Sequence, residues 1–347
     1  MTAFGDCPLP FGQYDRVVLG HGSGGRLSAE LVARVFVPGL GLDPAAPLED
    51  AATIENAPGR IAMTTDSFVV RPLEFPGGDI GRLAITGTVN DLAVAGAEPR
   101  WISAAFILEE GLPLADLARY VASMRKACAE AEVRLVTGDT KVVERGKGDG
   151  VFITTTGVGI VPPGRALSIA SAMPGDQILI SGPLGDHGVA ILSTREGMAI
   201  ETDLESDVAP VIGLVRALLA AVPEVRCMRD PTRGGLASTA CELAEASRVG
   251  VRLVETQLPV RDQVRAACEL WGLDPLHMAC EGRIVVVVPA AASARTLAAL
   301  QAHPLGRDAR IAGECVAAHP GMVTLASRVG GERIVSMLAG EPLPRIC

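Results

Sequence analysis

The sequence predicts an α+β protein made of two α/β-layered domains and an extended C-terminal tail. Three observations carry that prediction. The chain has 347 residues, about two domains at roughly 150 residues each. Both halves alternate β-branched runs with segments of helical period, and Pro162-Pro163-Gly164 breaks the pattern between them. The stretch from Leu338 to Pro344 has two prolines, a glycine and no helical period, so it should run extended. The expected organisation is an N-terminal segment 1–42 with a glycine-rich loop, a first domain 43–161, a second domain 170–327 and a flexible tail 328–347.

The first element is a short apolar run, Arg16-Val17-Val18-Leu19, leading into Gly20-His21-Gly22-Ser23-Gly24-Gly25. Leu27, Leu31 and Val35 recur at spacing four and predict a short helix, ended by Pro38-Gly39. Gly20, Gly22 and Gly25 match G-x-G-x-x-G, but no convincing second strand follows, which excludes a dinucleotide fold. A Walker loop is excluded too, because Gly-Lys-Ser/Thr is missing. What remains is a backbone whose N–H groups can wrap a phosphate, with a mobile glycine linker as the plain alternative.

In the first domain, 60–65 is a strand ending in Asp66, and 80–95 is a helix of small residues containing Thr88-Val89-Asn90-Asp91-Leu92. Residues 100–108 form an apolar strand. Leu114, Leu117, Ala118, Val121 and Met124 then line one helical face. A strand at 133–136 ends in Thr137-Gly138-Asp139-Thr140-Lys141, and 151–161 is a β-branched strand. In the second domain, 177–181 is a strand, Gly185-Asp186-His187-Gly188 opens a helix, and 208–222 is another helix. Asp230-Pro231-Thr232-Arg233-Gly234-Gly235 opens a helix running to Glu245. A strand at 251–254, a helix at 262–271 and the loop Cys280-Glu281-Gly282-Arg283 follow. The run 284–288 is wholly apolar, as a strand buried on both faces should be. One more helix and strands near 308–313 and 322–327 complete the domain.

Composition narrows the function. Aromatic residues make up only 3% of the chain against 48% hydrophobic, so the cores must be built from Ala, Val, Leu and Ile. No run of 18 apolar residues exists, which excludes a helical membrane span. A net charge of −9 argues against a nucleic-acid surface, and means that phosphate binding would need metal ions or backbone dipoles. The N-terminus has no basic region before an apolar one, and the 8 cysteines include no C-x-x-C pair. They read as reduced cytoplasmic thiols, mostly small core residues.

The candidate site residues are mostly acidic. Asp66 and Asp139 follow strands, and Asn90-Asp91 lies in a helix beside glycine and threonine. Carboxylates at strand ends suit Mg²⁺, which takes one or two of them plus phosphate oxygens. A lone Asp is more often a turn residue; three beside a glycine loop point to a Mg-nucleotide. Lys141 is either a surface lysine or a phosphate partner and base. Asp230 and Arg233 are either an N-cap and an outward Arg, or a helix start aimed at an anion. Glu281 is a turn carboxylate or a general base. His21 and His187 read as local hydrogen-bonding groups.

Taken with the terminal Pro344-Arg345-Ile346-Cys347, these motifs resemble the aminoimidazole-ribonucleotide-synthetase (PurM-like) superfamily. Within it the chain is similar, over essentially its whole length, to the carbamoyl dehydratases of hydrogenase maturation. The resemblance implies a homodimer whose first domains pair. It implies Mg²⁺ on Asp66, Asp91 and Asp139. ATP would be held by Gly22, Ser23, Gly24, Gly25, Asp66, Asn90, Asp91, Asp139, Asp230 and Arg233. It makes Cys347 the acceptor of a carbamoyl group from the carbamoyltransferase HypF, with Lys141 and Glu281 nearest that group. ATP-driven dehydration to a thiocyanate would follow, with cyanide passing to iron on a HypC–HypD complex. One departure stands out: Cys280 occupies the position before Glu281-Gly282 where the resemblance leads one to expect Asn. A small-molecule kinase or ligase of the same superfamily is the rival reading.

Overall fold

The computed structural model describes residues 14–22, 26–42, 59–195 and 200–337. Ser23, Gly24, Gly25 and the acceptor Cys347 lie outside the described residues. Near the N-terminus, α1 (Arg26–Leu31), a π-helical turn (Val32–Phe36) and α2 (Val37–Leu40) follow one another directly. The helical run thus passes Pro38, where a stop was expected, and ends at Gly41 with φ of +70°. Pro38 stands where the π-helical turn passes into α2, so the run continues without the one N–H that proline lacks.

The first domain has strands β1 (Arg60–Phe68), the two-residue β2 (Glu74–Phe75) and β3 (Gly78–Asp79), β4 (Glu98–Glu109), β5 (Arg134–Val143) and β6 (Val151–Val161). Its helices are α3 (Ile80–Val94) and α4 (Leu114–Ala131). Strands β1-β6-β4-β5 form one sheet, with β4 and β5 parallel and the other pairs antiparallel. Along β6, Val151, Ile153, Thr155, Gly157 and Gly159 are buried, and the residues between them are half-buried. Helix α3 packs on that inner side, and its small residues let it sit close. A Cβ at Gly87 would already lie 2.9 Å from the Phe68 ring.

Two boundaries differ from expectation in a way that matters. Asp66 and Asp139 stand inside β1 and β5, not after them, because both strands continue past the polar residues. Strand β1 is inverted relative to the usual apolar-in pattern. Its outward residues Ile61 and Met63 are 61% and 70% exposed, whereas Thr64 and Asp66 point toward α3.

The second domain contains β7 (Asp176–Ile180), α5 (Asp186–Leu192), α6 (Ile212–Ala221), β8 (Cys227–Arg229), α7 (Gly235–Ser247), β9 (Gly250–Val254) and α8 (Asp262–Trp271). β10 (Val285–Pro289), α9 (Ser293–Gln301), β11 (Arg310–Val316), β12 (Val323–Ala326) and β13 (Glu332–Val335) complete it. Seven strands make one mixed sheet in the order β13-β12-β9-β11-β7-β10-β8. Its central strands are buried on both faces. Val286 and Val288 of β10 join the core that also holds the first domain, while Val285 and Val287 pack with Leu236, Ala240 and Leu243 of α7. The expected helix 208–222 begins only at Ile212, because the backbone of 208–211 bonds to other groups. Strand β13 was read as the start of the tail. It pairs instead with β12, burying Val335, so the sheet extends to residue 335.

The link between domains is pinned. Arg165 donates to the Gly96 carbonyl at 2.9 Å, and Arg216 of α6 reaches Glu98 at 2.8 Å. One hydrophobic core runs from Val17 through α3 to Val288 and Ala309, so the domains share packed apolar surface.

Candidate functional site

The cleft between the domains is built by α3 from one side and by the ends of β8 and the 280–283 loop from the other. Asp66, Ser67, Phe68, Gly87, Asp91, Asp230, Thr232, Arg233 and Glu281 line a narrow cavity of about 50 Å³ there. A larger cleft of about 410 Å³ adjoins it, sharing Asp91 and Asp230 and bordered by Leu92, Leu167, Ile169 and Met228.

Each carboxylate is held by the fold. Asp66 on β1 accepts from the Thr88 hydroxyl at 3.0 Å, and Thr88 is itself 2.6 Å from the buried Thr155 hydroxyl. Asp91, one turn along α3 from Gly87, accepts from Thr64 at 2.8 Å. Asp230 follows β8 and precedes Gly234 and Gly235, whose positive φ angles turn the chain into α7. The N-cap of α7 is Gly234, so Asp230 does not cap it. Glu281 is 2% exposed, and its carboxyl comes within 4.0 Å of where a Cβ on Gly87 would stand. Arg233 is exposed at the rim.

The crowding shows in the acidities. Burial, then the charge of Asp66, pushes Asp91 up to about 6. Burial, then Asp91, pushes Asp230 up to about 7. Glu281 is raised well above the ordinary glutamate value by burial, then by Asp230, Asp207, Asp66 and Asp91. Carboxylates held together against their own repulsion mark a site made for a positive or proton-demanding guest. Among the described residues no three His, Cys, Asp or Glu side chains form a closed metal cluster. That arrangement fits Mg²⁺, which needs only one or two carboxylates when phosphate oxygens and water complete its shell.

The expected site residues do not all meet here. Asp66, Asp91, Asp230, Arg233 and Glu281 come together. Asn90 is 1% exposed, and its amide bonds only to backbone: it donates to the carbonyls of Ala209 and Glu281, both at 3.1 Å, and accepts from Val211 N–H at 2.8 Å. It laces the domains, with both its amide nitrogen and its oxygen engaged by backbone. Asp139 and Lys141 lie on β5, three strands from β1, on the sheet face opposite Asp66. At about 4.8 Å per strand that separation is roughly 14 Å. They pair with each other at 3.1 Å and are 65% and 64% exposed. Gly22 ends a 3-10 turn, Leu19–Gly22, that packs against β5, the strand of Asp139 and Lys141.

Thr64, Gly87, Thr88 and Thr232 belong to the site and were given no role from the sequence, although Thr88 and Thr232 stand inside motifs named there. Gly87-Thr88 directly precedes Val89-Asn90-Asp91, so their neighbourhood was the available signal. His21 accepts from Val18 N–H at 3.0 Å, and His187 pairs with Ser206 at 2.8 Å, each a local contact. Cys280 is fully buried; its sulfur accepts from Gly185 N–H at 3.2 Å, so it holds the loop where an Asn was expected. Burial pushes the thiols of Cys128, Cys227, Cys268 and Cys315 up to about 12, leaving them inert core groups.

The two-domain frame is that of a chain matched by the AIR synthase related proteins in both of its halves. The family model for their N-terminal domain matches residues 48–161, and that for their C-terminal domain matches 173–325. The chain is 58% identical to the carbamoyl dehydratase HypE of Azotobacter vinelandii over 327 residues, 94% of this chain and 96% of that one. It also matches a crystal structure of hydrogenase maturation protein HypE in complex with ATP, with a TM-score of 0.90 and 46% identity over 95% of this chain and 99% of that one. A HypE–HypF complex matches at a TM-score of 0.77 and 47% identity, covering 80% and 90%. The chain therefore belongs to the HypE family of carbamoyl dehydratases, within the AIR synthase related proteins. Among the described residues no helix is long and apolar enough to cross a membrane.

Proposed function

We propose that the protein uses Mg-ATP to dehydrate an S-carbamoyl group on its own Cys347 to an S-cyano group, supplying cyanide for the iron centre of NiFe-hydrogenase. The carrying observation is the buried interdomain cavity that joins Asp66, Asp91, Asp230 and Glu281. The described chain supports a self-acting tail. It reaches Met337 beside α7, where Val335 O receives the Cys241 thiol at 3.6 Å. Cys241 is six residues into α7, and α7 starts five residues after Asp230. Ten further residues reach at most about 33–36 Å. This reading requires Cys347 to meet the cavity within that length.

The chemistry follows from the leaving group. An amide oxygen leaves poorly, so the carbonyl oxygen attacks the γ-phosphorus and ADP departs as the β–γ bond breaks. One N–H proton is lost. The C–O bond then breaks, phosphate carries the oxygen away, and loss of the second N–H proton closes C≡N. Asp66 and Asp91 would hold Mg²⁺, which when bound would supply the charge that neutralises the phosphates. Glu281, which lines the same cavity against Gly87, is the carboxyl placed to take the nitrogen proton. Enclosure keeps water from the activated intermediate.

HypF is the carbamoyl donor in this reading, a HypC–HypD complex is the acceptor, and the cytoplasm is the compartment. Two copies pair through the open face of the first sheet, whose exposed Ile61 and Met63 otherwise face water. Pairing brings Asp139 and Lys141 to the seam between copies, so they act on the site from the second chain. Incubation with HypF, carbamoyl phosphate and ATP should make the terminal peptide about 25 Da heavier, with cyanide replacing the thiol proton. Cys347→Ala should bind ATP and give no product. An unmodified wild-type peptide ends the proposal.

A further inference from the structure

Asp207 belongs to no motif, yet its side chain is wholly buried within the irregular segment that runs between α3 and the 280–283 loop. One carboxylate oxygen accepts from Glu281 N–H at 3.0 Å, the other from Gly282 N–H at 3.2 Å. Arg283 closes on the same carboxylate at 3.3 Å, and is itself tied to the carbonyls of Pro183 and Leu305. A Cβ at Gly282 would collide with the Asp207 carbonyl oxygen, so only glycine permits this approach. From the other side, the Glu281 carbonyl accepts from Asn90 at 3.1 Å and from Ala209 N–H at 3.4 Å. Every polar atom of the Glu281 main chain is thus fixed by a group outside its own loop.

We infer that Asp207 and Asn90 are positioning residues, which together set the place of the Glu281 carboxyl relative to Asp91. Asn90 is adjacent to Asp91 on α3, so one side chain locks the base of one domain to a carboxylate of the other. A buried ion pair is weak evidence for stability, and its clearest uses lie in specifying geometry. Displacing a catalytic group by about 1 Å costs on the order of 10²-fold in rate. The inference rests on the proposed dehydratase reading for the role of Glu281, and its test is read from phosphate release so that the two fail separately.

The experiment is a double-mutant cycle on phosphate release at saturating Mg-ATP with the S-carbamoylated full chain. Asp207→Asn should lower kcat by about 10²-fold with KM for ATP within about 3-fold. In a Glu281→Gln background the same change should cost less than about 2-fold, because nothing remains to be placed. Asn90→Ser, which removes no charge, should repeat the pattern if Asp207→Asn fails to fold. Equal losses in both backgrounds would mark a purely structural role and overturn the inference. A Glu281→Gln protein turning over at the wild-type rate would overturn it as well. If the wild type releases phosphate and forms no thiocyanate, the dehydratase reading fails while the cycle still decides the positioning.

Discussion

Asp91 and Asp139 were expected in one metal set, and the fold gives them opposite surroundings. Asp91 lies in a closed cleft beside Asp66 and Asp230, and its acidity is suppressed. Asp139 stands on an open sheet face, where a hydrogen bond from Lys141 and then the Thr140 N–H lower its pKa. The same residue type is buried among like charges in one place and paired with a lysine in the other. The comparison teaches that a carboxylate's chemistry is set by which face of the strand or helix carries it.

Loss of the closed cleft should cost most. Asp91→Asn should reduce kcat/KM for Mg-ATP by about 10²–10³-fold, since it removes a preorganised charge from the phosphate site. If Asp139 acts only across the seam, a mixture of Asp91→Asn and Asp139→Asn chains should regain about a quarter of wild-type activity, while each alone stays low. That figure follows from random pairing, with one intact site in half of the dimers. No recovery on mixing would return Asp139 to a role within its own chain, or to none.

A smaller effect concerns stability. A carboxyl whose folded pKa is raised takes up protons on folding, so its contribution favours the fold at low pH and is lost as pH rises. For Asp91 and Asp230 that loss should run from about 4 up to about 6 and about 7 respectively. The nucleotide-free protein should therefore show a falling Tm between about pH 5 and 7.5, by about 3–8 °C. Asp230→Asn should flatten that fall and raise Tm at pH 7.5, while Mg-ATP should restore the wild type. A wild-type slope unchanged by Asp230→Asn would remove the cleft carboxylates as its cause. The least effect belongs to the open face: Lys141→Ala should change stability by at most about 1 kcal/mol in chemical denaturation, as exposed ion pairs do.

Much of this was legible in the sequence. The β-branched run at 151–161 is strand β6 residue for residue, and 262–271 is helix α8. What was missed has physical reasons. Asp66 and Asp139 look like loop residues because charged groups usually end strands; here one faces a polar cavity and the other an open surface. Strand β13 has only four residues, and its partner, not its composition, makes it a strand. Asn90 sits beside a functional aspartate in sequence, but its amide turns to the other domain. Asp207 carried no local pattern, since its meaning lies in a contact with residues more than seventy positions away.

The lacing of Asn90 into the second domain limits how this machine can be fed. With α3 bolted to the 280–283 loop and one core running through both halves, the cleft has no jaw to swing open. A cavity of about 50 Å³ admits no folded carrier, so under the proposed reading the cargo arrives on a thread. Delivery is then governed by the slack of that thread, and shortening or stiffening it should starve a fully competent chemical centre.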